Sequence, residues 1–377
     1  MMGSNDYRVA IVTEHLWKMG GANKVLECFC EIFPNADIYA LFGHSTKEMQ
    51  QKNLSKEICK HNIYISGLNK IPFIKKIYQF TFSKWITNIE KFDFSQYDLV
   101  ISSSSSVAHG VITPLHCKHI SYIHSPMRYI WDLNNIYFGK SKNSHNKFVS
   151  LISKPVFLFA RVWDTIASNR SDLLLTNSKY VEKRIHKYWR KDSLVVYPPS
   201  ELFKGQIKTE RENYYVCIAP FEKNKKGEFL LEKAREIGFN LKIIGSGSSE
   251  NKLKKKFRKY RNIEILGWVT DMKKWELLSN ASGYIIPGVE DYGISVIEAI
   301  SCGTPVLAYA AGGVLENVEE GVNGCFFYDE DGFDTALKNF KNTEWDHIKI
   351  SKSLVNYNSK ESFKSEIRKI FQKNDII

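Results

Sequence analysis

Short apolar runs alternate with longer stretches of helical periodicity along most of the chain. Residues 7–12 read as a buried strand, and Gly20–Gly21 then opens a helix carrying Val25, Leu26 and Phe29. Residues 98–102 (DLVIS) are a further buried strand, followed by a serine-rich turn and by strand 118–123. Residues 173–176 and 194–196 continue the series. Apolar strands separated by helices are the mark of parallel sheets, because the crossover helices cover both sheet faces. The pattern pauses around 197–213, where Pro198 and Pro199 precede a polar, charged stretch suited to a linker. It restarts with strand 214–219, helix 227–237, strand 240–244 and helix 252–260. Strands 263–266, 283–286, 305–308 and 324–327 complete a second set. The expected fold is therefore α/β, with two Rossmann-like halves of similar size.

Length and composition narrow the possibilities. The chain has 377 residues, 25% of them charged and 13% aromatic, so wholesale disorder is excluded. A chain of this size buries about three quarters of its extended surface. Lys and Arg exceed Asp and Glu by 53 to 41, a net +12 that suits nucleic acid, an anionic membrane or a phosphorylated small molecule. The longest apolar run, 151–163, is interrupted by Lys154, Pro155 and Arg161, so no membrane span is expected. The first residues lack a basic segment followed by a long apolar one, which argues against a secretory leader. Seven cysteines, with no CxxC pair, read as reduced thiols in a cytoplasm.

The most informative stretch is residues 287–313, PGVEDYGISVIEAISCGTPVLAYAAGG. A strand ends, a loop carries Glu290 and Asp291, and Gly293 marks a sharp turn into a helix from about Ser295. Val296, Ile297 and Ile300 form that helix's buried stripe. The amides of Gly293, Ile294 and Ser295 would then face outward from the strand's carboxyl end, a seat for phosphate. Glu290 and Glu298 lie eight residues apart, one able to stand near a sugar and one able to accept from ribose hydroxyls. Two plainer readings stay open. Ser295 and Glu298 have the spacing of a capping box, and Gly312–Gly313 need be only a turn. Residues 245–247 (GSG) lack the third glycine of a dinucleotide site, and no HExxH or phosphate-loop motif occurs.

In residues 267–275, GWVTDMKKW, the pair Asp271 and Lys274 complements guanine, which presents N–H donors beside an O6 acceptor. Asp271 is equally placed to cap the helix that follows.

The ordered set of motifs resembles retaining glycosyltransferase family 4. The E-x7-E within EDYGISVIEA, then CGTPV and AAGG, carries the likeness. GGANKVL (20–26), ISSSSSVAHGV (101–111), HSPMRYIWD (124–132), NSKYVEKRI (177–185) and VYPP (196–199) extend it, and several are similar to a bacterial branch containing O-antigen mannosyltransferases. The resemblance implies a GT-B fold, two Rossmann-like domains facing across a cleft. Residues 1–197 would bind acceptor, residues 198–345 nucleotide sugar, and 346–377 would pack back on the first domain. It implies that Glu290 and His124 are catalytic. Gly20, Gly21, Lys226, Val269, Asp271, Lys274, Gly293, Ile294, Ser295 and Glu298 would hold the donor, Val269 through its backbone. Lys24, Arg128, Asp132 and Lys223 stand as acceptor-side or supporting residues. For His124 the alternative is a capping role, and for Arg128 and Asp132 an i,i+4 surface ion pair. One departure stands out: Pro220 occupies the place of the family's diphosphate-clamping arginine, so either Lys223 or Lys225 supplies the charge, or the alignment shifts, or activity is reduced.

The implied reaction is transfer of a hexose with retention, mannose from GDP-mannose, to a glycan or lipid-linked saccharide in cell-surface polysaccharide synthesis. No metal or other cofactor is expected, because helix amides and lysines can neutralise the diphosphate. A UDP-sugar donor, or a basic nucleotide- or nucleic-acid-binding protein without transferase activity, are the alternatives. Nucleic acid is the weaker, since no helix-turn-helix or RNP pattern appears. The aromatic and basic run 71–85 suits either a peripheral membrane contact or core packing, and the basic helices at 179–191 and 252–261 either a solvated face or a membrane-facing one.

Overall fold

The computed structural model describes residues 7–71, 82–132, 147–219, 225–247 and 249–376, with the side chains of 147–154 left aside. The chain divides into two compact units, residues 1–199 with 360–377, and residues 200–359.

The first unit is built on a seven-stranded parallel sheet of order β3-β2-β1-β4-β5-β6-β7. Its strands are β1 (Val9–Leu16), β2 (Asp37–Gly43), β3 (Ile63–Ile65), β4 (Leu99–Ser104), β5 (Lys118–Ile123), β6 (Leu173–Thr176) and β7 (Leu194–Val195). β4 is buried along its whole length, as a central strand covered on both faces must be. Helix α1 (Gly21–Ile32) lays Val25, Leu26 and Phe29 on one face of the sheet, as its periodicity predicts. Helix α2 (Lys47–Asn53) is short and has no buried residue. The other face carries α3 (Phe82–Ile89) and α4 (Lys147–Ala167), and α5 (Lys179–Trp189) packs against β6. Of the run 71–85, most lies outside the described residues; Trp85 at its end is buried against Phe42, in the core rather than on a surface.

The second unit holds a six-stranded parallel sheet of order β10-β9-β8-β11-β12-β13. These are β8 (Glu212–Ile218), β9 (Leu241–Ile244), β10 (Ile263–Gly267), β11 (Ala281–Ile286), β12 (Val306–Tyr309) and β13 (Gly324–Phe327). Its helices are α6 (Gly227–Ile237), α7 (Glu250–Phe257), α8 (Asp271–Asn280), α9 (Ile294–Ser301), α10 (Phe333–Asn342) and α11 (His347–Lys352).

Two boundaries differ from expectation. The stretch read as a linker is partly fixed to the second unit: Phe203 N donates to Ser301 Oγ at 3.0 Å, and Arg211 donates to the carbonyls of Cys302 and Gly303 at 2.8 and 3.0 Å. The return to the first unit begins at Lys360, not at 346. Residues 346–359 stay with the second unit because Ile350 of α11 is buried in its core and His347 Nδ1 lies 2.7 Å from Gly303 O. The last helix, α12 (Lys360–Lys373), buries Phe363, Ile367 and Phe371 beside Phe29 of α1, with Lys360 and Lys364 on Glu31. All seven cysteines are free thiols; burial pushes Cys28 up to about 12, so it is no nucleophile at neutral pH.

Candidate active site

In the second unit the candidate site forms at the carboxyl ends of β11 and β12. Gly293 sits at φ +90, a left-handed conformation open to glycine, and turns the chain directly into α9. The N-cap position is Gly293, which has no side chain to offer the first-turn amides, an arrangement that suits an anion. Ser295 is the second residue of the helix, and the capping box with Glu298 is therefore not made. Its hydroxyl instead accepts from Tyr284 Oη at 2.7 Å. Tyr284 is fully buried, and burial raises its phenol well above the ordinary 10, so it stays a donor that ties the helix start to β11. Gly312 and Gly313 are more than a turn. Gly313 N donates to Glu290 O at 2.8 Å and Gly312 bridges Glu290, an approach so close that a Cβ at either glycine would collide with the 290–291 backbone.

Two carboxylates are held by lysines from other elements. Lys225 Nζ reaches Glu290 Oε2 at 2.6 Å, with both side chains 18% exposed. Lys274 Nζ donates to Glu298 Oε1 at 2.7 Å and lies 3.3 Å from Asp271 Oδ1. Burial alone would lower the Lys274 ammonium; the carboxylates of Glu298 and Asp271 outweigh it and hold its pKa above the ordinary lysine value. Lys226 takes φ +50, a strained conformation for a side chain with a Cβ, and begins α6. Its Nζ lies 3.0 Å from Glu330 and 4.7 Å from the Tyr309 ring centroid. Thr270, not Asp271, caps α8, accepting from Lys273 N at 3.3 Å; Asp271 is the first helical residue and its side chain is 81% exposed. Val269 is half-buried against the core. Pro220 and Lys223 lie outside the described residues.

In the first unit Gly20 caps α1 and Gly21 begins it, at the mouth of a cavity of about 580 Å³ that His15, Trp17, Asn23 and His44 also line. Lys24 is half-buried one residue farther along the helix. His124, at the end of β5, places Nε2 2.9 Å from Ser103 Oγ, while its carbonyl accepts from Asn177 at 2.9 Å. Arg128 Nε stands 3.7 Å from Asp132, but the closer partner of that carboxylate is Arg184 at 2.8 Å. Arg184 is buried and also donates to Ser125 Oγ and to Pro126 O, so one residue of the basic helix α5 is a strut for the 124–132 loop.

The residue that sequence reading missed is Glu14. It is 2% exposed and accepts from the backbone N–H groups of Ser105, Ser106, Val107 and Ala108 at 2.8–3.2 Å, and from Ser104 Oγ at 3.0 Å. The serine-rich turn is thus folded around a carboxylate. The available signal was an acid directly after the apolar run 9–12, between Thr13 and His15, which burial permits only with partners.

With this geometry in hand, comparison places the chain among known proteins. Residues 200–370 match the family "Glycosyl transferases group 1". An uncharacterised glycosyltransferase of Methanocaldococcus jannaschii is 26% identical over 162 residues, 42% of this chain and 46% of that one. The GDP-Man:Man(3)GlcNAc(2)-PP-Dol alpha-1,2-mannosyltransferase of Mus musculus is 25% identical over 261 residues, 59% of this chain and 53% of that one. The chain thus spans about half the length of these curated relatives. The crystal structure of Anabaena HepE in complex with UDP superposes with a TM-score of 0.64 at 14% identity, covering 97% of this chain and all of that one. Residues 200–370 thus resemble glycosyl transferases group 1, and the two parallel-sheet Rossmann-like units have the GT-B fold.

Proposed function

We propose that this protein is a retaining glycosyltransferase that moves mannose from GDP-mannose to a glycan or lipid-linked saccharide at the cytoplasmic face of a membrane, in cell-surface polysaccharide synthesis. The observation that supports it most is that Glu290 and Glu298, on either side of the glycine-led start of α9, are held by Lys225 and Lys274, with Lys226 next in sequence to Lys225. The diphosphate would sit on the amides of Gly293, Ile294 and Ser295. Lys226, and Lys225 released from Glu290, would neutralise the charge that grows on the departing phosphate. Glu290 would then face the donor sugar and Glu298 the ribose. Val269 would meet the base through its backbone, with Asp271 and Lys274 beside it. In the first unit, Gly20 and Gly21 would border the donor, with Lys24, Arg128 and Asp132 as acceptor-side or supporting groups and His124 near the reacting sugar. The departing phosphate would take the acceptor hydroxyl's proton on the same face of the sugar, so no carboxylate nucleophile is required.

The donor in the mouse relative's name favours GDP-mannose, and the UDP in HepE favours a uridine donor as the second reading. A panel of nucleotide sugars, scored for hydrolysis and transfer by the purified protein with and without EDTA, tests the proposal. Turnover of GDP-mannose that resists EDTA and is lost in Glu290→Ala is expected. Turnover of UDP-sugars alone would replace the donor, and nucleotide binding with no turnover of any donor would overturn the enzymatic reading.

A further inference from the structure

We propose that Ser103 is a positioning residue for the transfer reaction, acting by holding the imidazole of His124 in one orientation. This role presupposes the proposed function and takes up the serine-rich turn, which that reaction leaves unused.

The segment 124–132 is tied down at its start and along its length. His124 N donates to Ser104 O at 2.8 Å, and His124 O accepts from Asn177 Nδ2 at 2.9 Å. Farther on, Tyr129 Oη lies 2.7 Å from Ser106 Oγ, Trp131 Nε1 donates to Asp164 Oδ2 at 2.7 Å, and Arg184 reaches Asp132 at 2.8 Å. These bonds fix where the His124 backbone stands but not how its ring turns. The last torsion of a histidine is broad and roughly two-fold, so neighbouring groups must choose the angle. Among those neighbours are the Tyr122 ring, with centroids 5.1 Å apart, and the Ser103 hydroxyl, 2.9 Å from Nε2. Of these two contacts the hydrogen bond is the directional one. Whichever atom carries the hydrogen, it sets the plane of this half-buried ring.

Ser103 is itself firmly held. It lies in β4 between β1 and β5, in register with Thr13 and Tyr122, and is 2% exposed. The turn that follows is wrapped on Glu14, whose carboxylate accepts from Ser104 Oγ and from four successive amides. Side chains alternate along a strand, so Ser102 and Ser104 turn to the other face, one onto His119 and Ser121, the other onto Glu14. Of the three serines in β4, Ser103 is the one aimed at His124. It is too enclosed to touch a sugar, so its effect must pass through the imidazole. A group beside a reacting centre that is misplaced by ~1 Å can lose on the order of a hundredfold in rate.

Steady-state kinetics of the full chain, with the donor that turns over fastest in the nucleotide-sugar panel, tests this role. Ser103→Ala should lower kcat about tenfold with the donor KM within about twofold. His124→Ala should cost at least as much. The variant carrying both changes should lose no more than His124→Ala alone, because nothing remains to be positioned. Ser103→Thr keeps the hydroxyl and should keep most of the activity. Ser121→Ala removes a fully buried hydroxyl bonded to Ser102 and Ser171, and should lower the melting temperature without lowering kcat. If Ser103→Ala does not fold, Ser103→Cys carries the comparison, since a thiol is a weak hydrogen-bonding partner of similar size. Parent-like kcat in Ser103→Ala, additive losses in the double variant, or an equal loss in Ser121→Ala would each overturn the role of Ser103 and leave the proposed function standing. A parent that turns over no donor would instead remove the proposed function, and this role with it.

Discussion

The two units hold their shielded carboxylates in opposite ways. In the first, Glu14 is enclosed by four backbone N–H groups and a serine hydroxyl, and its partners cannot leave without unfolding the turn. In the second, Glu290 and Glu298 are held by the ends of Lys225 and Lys274, flexible side chains that a ligand can draw away. The lesson is that burial alone does not mark a reacting acid. What distinguishes the second pair is that its partners are exchangeable cations, placed where an anion would need them.

The largest expected effect breaks the comparison at its functional end. Glu290→Gln should lower transfer or donor hydrolysis at least 100-fold, a transition-state loss of about 3 kcal/mol, while the urea midpoint stays near that of the parent. A variant that loses stability and activity together would place Glu290 with Glu14 among the structural acids. At the structural end, Glu14→Ala leaves a cluster of buried N–H groups without an acceptor and should cost about 3 kcal/mol or more. Chemical denaturation followed by tryptophan fluorescence reads it, and a parent-like midpoint would mean that the turn needs no carboxylate.

His119 sharpens the same contrast through pH. It is fully buried in the first unit, its ring among the hydroxyls of Ser102 and Ser121, and burial lowers its pKa from 6.5 to about 4. The unfolded chain therefore takes up this proton first, so the stability it confers is complete above about 6.5 and declines as pH falls toward 4. Melting temperature against pH should fall across that window, and His119→Gln should flatten the fall. The smallest effect concerns the base-side helix. Thr270→Ala removes the cap of α8 and should cost about 1 kcal/mol with donor affinity within twofold, whereas a large affinity loss would move Thr270 into the site.

Much of the second unit's site was legible because it is local. Residues 287–298 carry strand end, glycine turn and helix start in one run, and each signal depends only on neighbours a few positions away. The pairings were not legible. Lys274 meets Glu298 across 24 positions and Lys225 meets Glu290 across 65, and only sheet order brings such residues together. The choice between Thr270 and Asp271 as cap turned on a single position, finer than periodicity resolves. In the first unit the apolar pattern did not mark β2 and β3, where tyrosines and short length blur the alternation.

By itself the sequence determined that the chain is α/β with two parallel-sheet halves, and that residues 287–313 hold a glycine turn leading into a helix. Those features rest on local sterics and on apolar periodicity, which the chain carries wherever it folds. Tertiary structure alone decided that Glu14 organises the serine turn, that Arg184 is a strut rather than a solvated charge, and that the chain returns to its first unit at Lys360. It also decided which serine of β4 faces His124. The physical reason is shared: burial, pairing and exposure depend on which elements become neighbours, and that follows from strand order rather than from the order of residues.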